Sequence, residues 1–159
     1  MEKEKILMDK IGYNKYLKRI EKLEEELDDI RMYKGKDAIF QGDNWHDNPT
    51  LYEAENKERS LMKQIREMKA KSQNIKIIER KNKSGVIDIG SIVTIEIIYS
   101  EDDVEELTFK LIGGETENEN EVSINSPLGK NIYGKKENEQ VTYKVNHNSF
   151  NVVIKKVEE

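Results

Sequence analysis

The sequence predicts an α+β protein: an antiparallel α-helical coiled-coil hairpin over residues 1–80, followed by a small β-rich domain over residues 84–159. The period of the apolar residues changes between the halves. It is three or four positions in the first, as on a helix face, and two in the second, as on a strand face. Between them "ERKNKSG" (79–85) is polar and ends in glycine, the composition of a linker.

The first helix rests on Tyr13, Tyr16, Ile20, Leu23, Leu27 and Ile30, spaced 3, 4, 3, 4, 3. That is a heptad seam. The residues between, as in "EKLEEELDD", are charged and solvated. The helix frays near Gly35 or continues to about Phe40. The second stripe is Leu51, Ala54, Leu61, Ile65, Met68, Ser72 and Ile75, with Glu58 on one seam position. Asn48 is placed to cap this helix, and Pro49 suits its first position, where no N–H is needed. Each stripe is narrow, and the connection is short, so each helix is the other's partner. An arm of about 28 residues would span roughly 40 Å at 1.5 Å per residue, which carries the bend far from the other half.

The second half reads as strands at 91–99, 107–114, 121–124, 140–145 and 149–157, separated by polar turns. "SPLGKNIYG" (126–134) reads as a short helix or turn, with Ser126 as cap and Pro127 as first helical residue. "GGETENENE" (113–121) reads as an acidic loop.

Composition narrows the function classes. The chain of 159 residues is 37% charged and has no cysteine, which removes disulfides, thiol catalysis and iron–sulfur clusters. There is no apolar run long enough for a membrane span and no signal-peptide pattern, so a cytoplasmic protein with no membrane partner is expected. Residues 1–80 hold 18 basic against 17 acidic side chains, and residues 81–159 hold 9 against 15. A general duplex-DNA binder carries a basic excess; this chain does not, so any nucleic-acid contact should be local and aided by a partner.

Two stretches carry a resemblance. "GDNWHDNPTLYEAE" (42–55) lies at the hairpin tip, and "IGSIVTIEI" (89–97) with "INSPLGKNIYGKKENEQVTY" (124–143) lies in the β-rich half. Together they resemble the Gre family of bacterial transcription elongation factors, whose tip reads roughly G-D-L-S-E-N-A-E-Y and whose second domain carries G-S-x-V and S-P-L-G-x-x-L-x-G-K-x-x-G-D-x-V. The likeness covers nearly the whole chain. It implies an FK506-binding-protein-like second domain that docks on bacterial RNA polymerase, and a hairpin that enters the polymerase secondary channel. It further implies that two tip acids reach the active centre beside the nascent RNA 3′ end and support cleavage of backtracked RNA by the polymerase's own site. The factor would then not be an enzyme itself. No cofactor would be tightly bound, and Mg²⁺ would be shared with the polymerase.

By motif position Asp43 and Asp47 are the Mg²⁺ ligands in the polymerase complex. Mg²⁺ takes hard oxygen donors and keeps several waters, so one or two carboxylates delivered from outside bear on its occupancy. The alternative for both is turn formation and helix N-terminal charge. Trp45, His46, Asn48 and Tyr52 are candidate tip contacts: Trp45 by stacking or by closing the hairpin end, His46 as proton shuttle or polar turn residue. Ser126, Pro127, Leu128 and Gly129 are the candidate polymerase-docking turn, or a turn that caps the domain core. The chain departs from the family at the tip, where the acids are Asp and Asp four apart rather than Asp and Glu three apart, and at "ENEQ" (137–140), which replaces a Gly-Asp turn.

Other readings are open at this stage. A homologue that enters the channel and inhibits would share the fold and differ at the tip. A prolyl isomerase would need an aromatic-rich pocket, and residues 84–159 hold only Tyr99, Phe109, Tyr133, Tyr143 and Phe150. A scaffold dimerising through the seam is the fourth; a monomer is expected.

Overall fold

Residues 4–41, 48–81 and 83–159 are described by the structure, a computed structural model. Their contacts form two units: Lys15–Asn74, and the chain up to Asn14 taken together with Ile75–Glu159. The sequence reading draws one boundary at 80–84; the contacts draw two, at 14–15 and 74–75. The cause is a parallel strand pair, β1 (Ile6–Met8) and β2 (Ile75–Ile77), in the register Ile6–Ile75, Leu7–Lys76, Met8–Ile77. Three-residue strands are too short to show a period. Ile75 also falls in step with the helical stripe before it, although the helix ends at Ser72, where the Gln73 N–H returns to Lys71 O.

The unit Lys15–Asn74 is a helical hairpin. Helix α1 runs Lys10–Gln41, straight through Gly35, and α2 runs Pro49–Ser72. Tyr16, Ile20 and Leu27 are buried from α1, and Leu51, Leu61 and Ile65 from α2. Leu27, Leu61 and Ile65 form one cluster with Leu23 and Ile30 packed on it. Burial of each such side chain stabilises by about 1.5–3 kcal/mol, so the seam outweighs the many surface charges, whose pairs contribute little singly. The pairing is antiparallel: the Tyr16 hydroxyl donates to Met68 O at 2.8 Å, Arg31 meets Glu58 at 3.0 Å, and Lys34 meets Glu55 at 3.8 Å.

Glu58 is the polar residue on the α2 stripe. Its two oxygens accept from Arg31 Nε at 3.0 Å and from Lys34 Nζ at 2.7 Å, both on the facing helix. Lys34 first, then Arg31, hold its carboxyl below the ordinary carboxylate range. A seam position that would expose a carboxylate to an apolar neighbour is thereby turned into an interhelical ion cluster.

The other unit carries β3 (Ile92–Ser100), β4 (Asp103–Ile112), β5 (Glu121–Ser123), α3 (Pro127–Ile132), β6 (Gln140–Val145) and β7 (Asn148–Glu158). The sheet order is β5-β4-β3-β7-β6; β4 and β5 are parallel and the other neighbours antiparallel. Alternation buries Val93, Ile95 and Ile97 of β3 on one face, with Phe109, Leu111, Val152 and Ile154. Ile87, Ile89, Ile124 and Ile132 complete this core. β4 begins at Asp103 rather than Leu107, since its exposed acidic residues pair with β3 by backbone although their side chains give no apolar signal. In β7 the register moves from Thr94–Lys156 to Ile95–Ile154, leaving Lys155 as a bulge. In the segment "ENEQ" Asn138 takes φ 64°, a left-handed conformation that asparagine tolerates better than most side chains.

The start of α1 is fastened to this sheet. Asp9 caps the helix, its Oδ1 accepting from Gly12 N at 2.7 Å. Asp9 N donates to Gly113 O at 3.1 Å, and Ile78 N to Met8 O at 2.8 Å. The approach is so close that a Cβ on Gly12 would lie 2.0 Å from Gly113 O, and one on Gly113 would lie 2.5 Å from Asp9 N. "GGETENENE" therefore begins with two buried glycines that seat the helix start, and only its remainder is an acidic loop.

Two outcomes are expected. Alanine raises helix propensity by about 1 kcal/mol over glycine, so Gly35→Ala, with open space around it, should raise the urea midpoint. Gly12→Ala in the same helix should lower it, by about 3 kcal/mol, since overpacking against backbone exceeds the propensity gain. The second outcome concerns pH. Glu58 has a folded pKa below its value of 4.5 in the unfolded chain, so its contribution is present above that value and lost as pH falls through the folded pKa. Wild type should therefore exceed Glu58→Gln in denaturant midpoint at pH 7, and the two should converge as the pH is lowered well below 4.5.

Candidate functional site

The connection between α1 and α2 is residues 42–48, and its sequence-predicted residues divide in two. Asp43, Trp45, His46 and Asp47 lie outside the described residues. Asn48 and Tyr52 lie within them. Asn48 caps α2 with extended backbone (φ −94°, ψ 108°), its side chain accepting from Thr50 N at 3.0 Å and from the Thr50 hydroxyl. Pro49 follows in the first helical position, and Tyr52 N donates to Asn48 O at 3.2 Å. The Tyr52 side chain is 65% exposed, so it is presented to solvent and does not pack the top of the seam. The first turn of α2 carries no acidic residue, which leaves the positive end of its dipole uncompensated from within the helix. Asp47 directly precedes the cap in the chain.

The second candidate group is brought together in one turn. Ser126 caps α3 (φ −68°, ψ 158°): its Oγ accepts from Gly129 N at 3.0 Å and donates to Ser123 O at 2.7 Å. Pro127 is exposed, Leu128 packs partly on the core, and Gly129 is buried. Gly129 is required sterically, since a Cβ there would fall 2.1 Å from Ser123 O. The turn is therefore a rigid loop with one exposed proline. Leu128 and Gly129 close the core, Ser126 is half-buried with its hydroxyl spent within the turn, and Pro127 is exposed.

Two residues near this turn were not singled out from the sequence. Asn125, just before Ser126, spends its side chain on β1: Nδ2 donates to Leu7 O at 2.7 Å, and Oδ1 accepts from Leu7 N at 2.8 Å. Asp88 is buried, 6% exposed, and accepts from Lys81 N at 2.6 Å and Ile89 N at 2.7 Å. It also meets the Tyr133 hydroxyl at the end of α3, whose pKa is raised by burial first and by Asp88 second. The signal for Asn125 was an amide placed before a serine that already caps the helix. Asp88 gave none beyond a lone acid between isoleucines.

Among the described residues no group of three or more His, Cys, Asp or Glu could hold a metal ion, and no helix is long and apolar enough to cross a membrane.

Comparison with known proteins places this geometry. The family model for the C-terminal domain of the transcription elongation factors GreA/GreB matches residues 81–159. GreA of Acholeplasma laidlawii (strain PG-8A) is 30% identical over 152 residues, covering 95% of this chain and 89% of the relative. GreA of Thermosipho africanus (strain TCF52B) is 29% identical over 156 residues, covering 97% of each. Among solved structures, Thermus aquaticus Gfh1 aligns with 99% of this chain and 100% of its own at 19% identity and a TM-score of 0.45. With a GreA matched across both the helical hairpin and the β-rich unit, the chain belongs to the GreA/GreB family of transcription elongation factors.

Proposed function

We propose that this protein docks on RNA polymerase through the Ser126–Gly129 turn and enters the secondary channel with its hairpin tip, where Asp43 and Asp47 support Mg²⁺-dependent cleavage of backtracked RNA by the polymerase active site. The observation that carries this reading is the GreA likeness over 95% of the chain, which includes arm, tip and second domain. The protein acts as a monomer without a tightly bound cofactor. Its chemistry is lent to another enzyme's site beside the RNA 3′ end.

The residues fit that role chemically. Two carboxylates are the hard oxygen donors that Mg²⁺ takes, and too few to satisfy it alone, so the remaining ligands would come from the polymerase and water. When bound, the ion would generate the attacking hydroxide or stabilise the leaving oxygen. Asn48 and Pro49 fix where α2 begins, two residues after Asp47 in the chain. Tyr52 is exposed one turn further along and is the described tip residue free to touch the channel wall. Pro127 is the exposed apolar contact of the docking turn, whose shape is held by bonds of Ser126 and Gly129 and of the Pro127 carbonyl rather than by the Pro127 ring.

A second reading is favoured by one observation. The acids are four apart and both aspartate, where the family pattern has Asp and Glu three apart. A protein with that tip enters the channel and slows or inhibits the polymerase without promoting cleavage.

A purified backtracked elongation complex with labelled RNA and Mg²⁺ separates the two. On the first reading wild type shortens the RNA and the Asp43→Asn/Asp47→Asn variant gives only the rate of polymerase alone. Wild type that slows elongation and competes with a cleaving factor, without shortening RNA, selects the second. Pro127→Glu should raise the concentration needed for half-maximal effect about tenfold, roughly 1.4 kcal/mol, with an unchanged melting midpoint.

A further inference from the structure

The Ser126–Gly129 turn does not need Asn125 for its own shape. Ser126 N reaches Ser123 O at 3.0 Å, Ser126 Oγ serves Ser123 O and Gly129 N, and Asn125 N is bonded to Ser123 Oγ at 3.2 Å. The Asn125 amide is turned instead to β1 and behaves there as a neighbouring strand would, giving one donor and one acceptor to the same residue, Leu7. A side-chain amide supplies both at once from one planar group. From Leu7 the path to α1 is two residues long: Met8 O accepts from Ile78 N, and Asp9 caps the helix and bonds Gly113. A second tie runs in parallel, an ion pair between Lys130 of α3 and Glu4 ahead of β1. Both members of that pair are largely solvated, so it contributes little. The Asn125 bonds are part-buried and directional.

We infer that Asn125 is a positioning residue that couples the docking turn to the root of α1. This rests on the reading of Ser126–Gly129 as the polymerase contact. The helix that begins at Lys10 continues unbroken to Gln41, and the strand that leads into it is tied to the docking turn by this amide. Losing the amide leaves the turn able to bind and leaves α1 intact. What is lost is the direct tie between β1, which leads into the helix, and the bound turn, while the bonds of Asp9 to Gly113 and of Met8 to Ile78 stay. The Leu7 N–H and C=O, part-buried, would also lose partners.

The measurement is a titration of the full-length protein on the backtracked elongation complex, taking half-maximal concentration and maximal effect separately. The effect is RNA shortening, or slowed elongation should wild type not shorten RNA. Asn125→Ala should keep its half-maximal concentration within about twofold while its maximal effect falls about fivefold or more, the split expected when an interaction serves the productive state rather than binding. An unchanged maximal effect would overturn the proposal, as would a loss confined to half-maximal concentration. Should Asn125→Ala melt below the assay temperature, Asn125→Asp replaces it with the same outcomes, since it keeps the acceptor for Leu7 N and puts a carboxylate oxygen in place of the donor to Leu7 O. Pro127→Glu runs beside them. Should it leave the half-maximal concentration unchanged, the docking turn itself is refuted, whatever the Asn125 variants do.

Discussion

A contact between two glycines organises the β-rich unit. The first turn of α1 lies on the Gly113 carbonyl with no room for a side chain on either partner. This close approach lets Asp9 N reach that carbonyl while its carboxylate caps the helix. β1 then falls beside β2, and the edge of β1 away from β2 meets Asn125. A single extra methyl at Gly12 would push on backbone atoms, which cannot rotate aside as a side chain can. The N-terminal residues thus belong structurally to the unit farthest from them in the chain, and the hairpin is a helical excursion from within it.

The hairpin shows how a chain that is 37% charged still finds a fold. Its buried seam is a few leucines and isoleucines, and charge enters that seam only where it is answered. Glu58 would be a fault on the stripe if it faced Leu27 or Ile30. Facing Arg31 and Lys34, with both carboxylate oxygens engaged, it fixes the stagger of the two helices, a role for which polar seam residues are well suited.

Much of this was legible in the sequence, for reasons that can be stated residue by residue. Tyr16, Ile20, Leu27, Leu61 and Ile65 announce the seam because helix period and burial coincide. Val93, Ile95 and Ile97 announce β3 for the same reason at period two. Asn48-Pro49 and Ser126-Pro127 mark helix starts because capping is local chemistry. What escaped was nonlocal. β1 and β2 are too short to carry a period, and Ile75 was drawn into the helix because its spacing happens to fit. The partners of Glu58 sit on the other helix, beyond any i,i+4 pattern. Asn125 reads as one letter of a motif until its amide is seen against Leu7.

The placement of β1 has a consequence for how the chain comes off the ribosome. The hairpin Lys15–Asn74 has its buried seam within its own residues. Ile6, Leu7 and Met8 are made before their partners: β2, Gly113 and Asn125 come roughly 70 to 120 residues later, which at 5–20 residues per second is a delay on the order of 5–20 seconds. Until then Ile6, Leu7 and Met8 lack the strand partner they have in the folded unit. Their sparse neighbours, Glu4 and Lys5 before them and Asp9 and Lys10 after them, are the charged flanks that keep such a waiting segment from joining another chain.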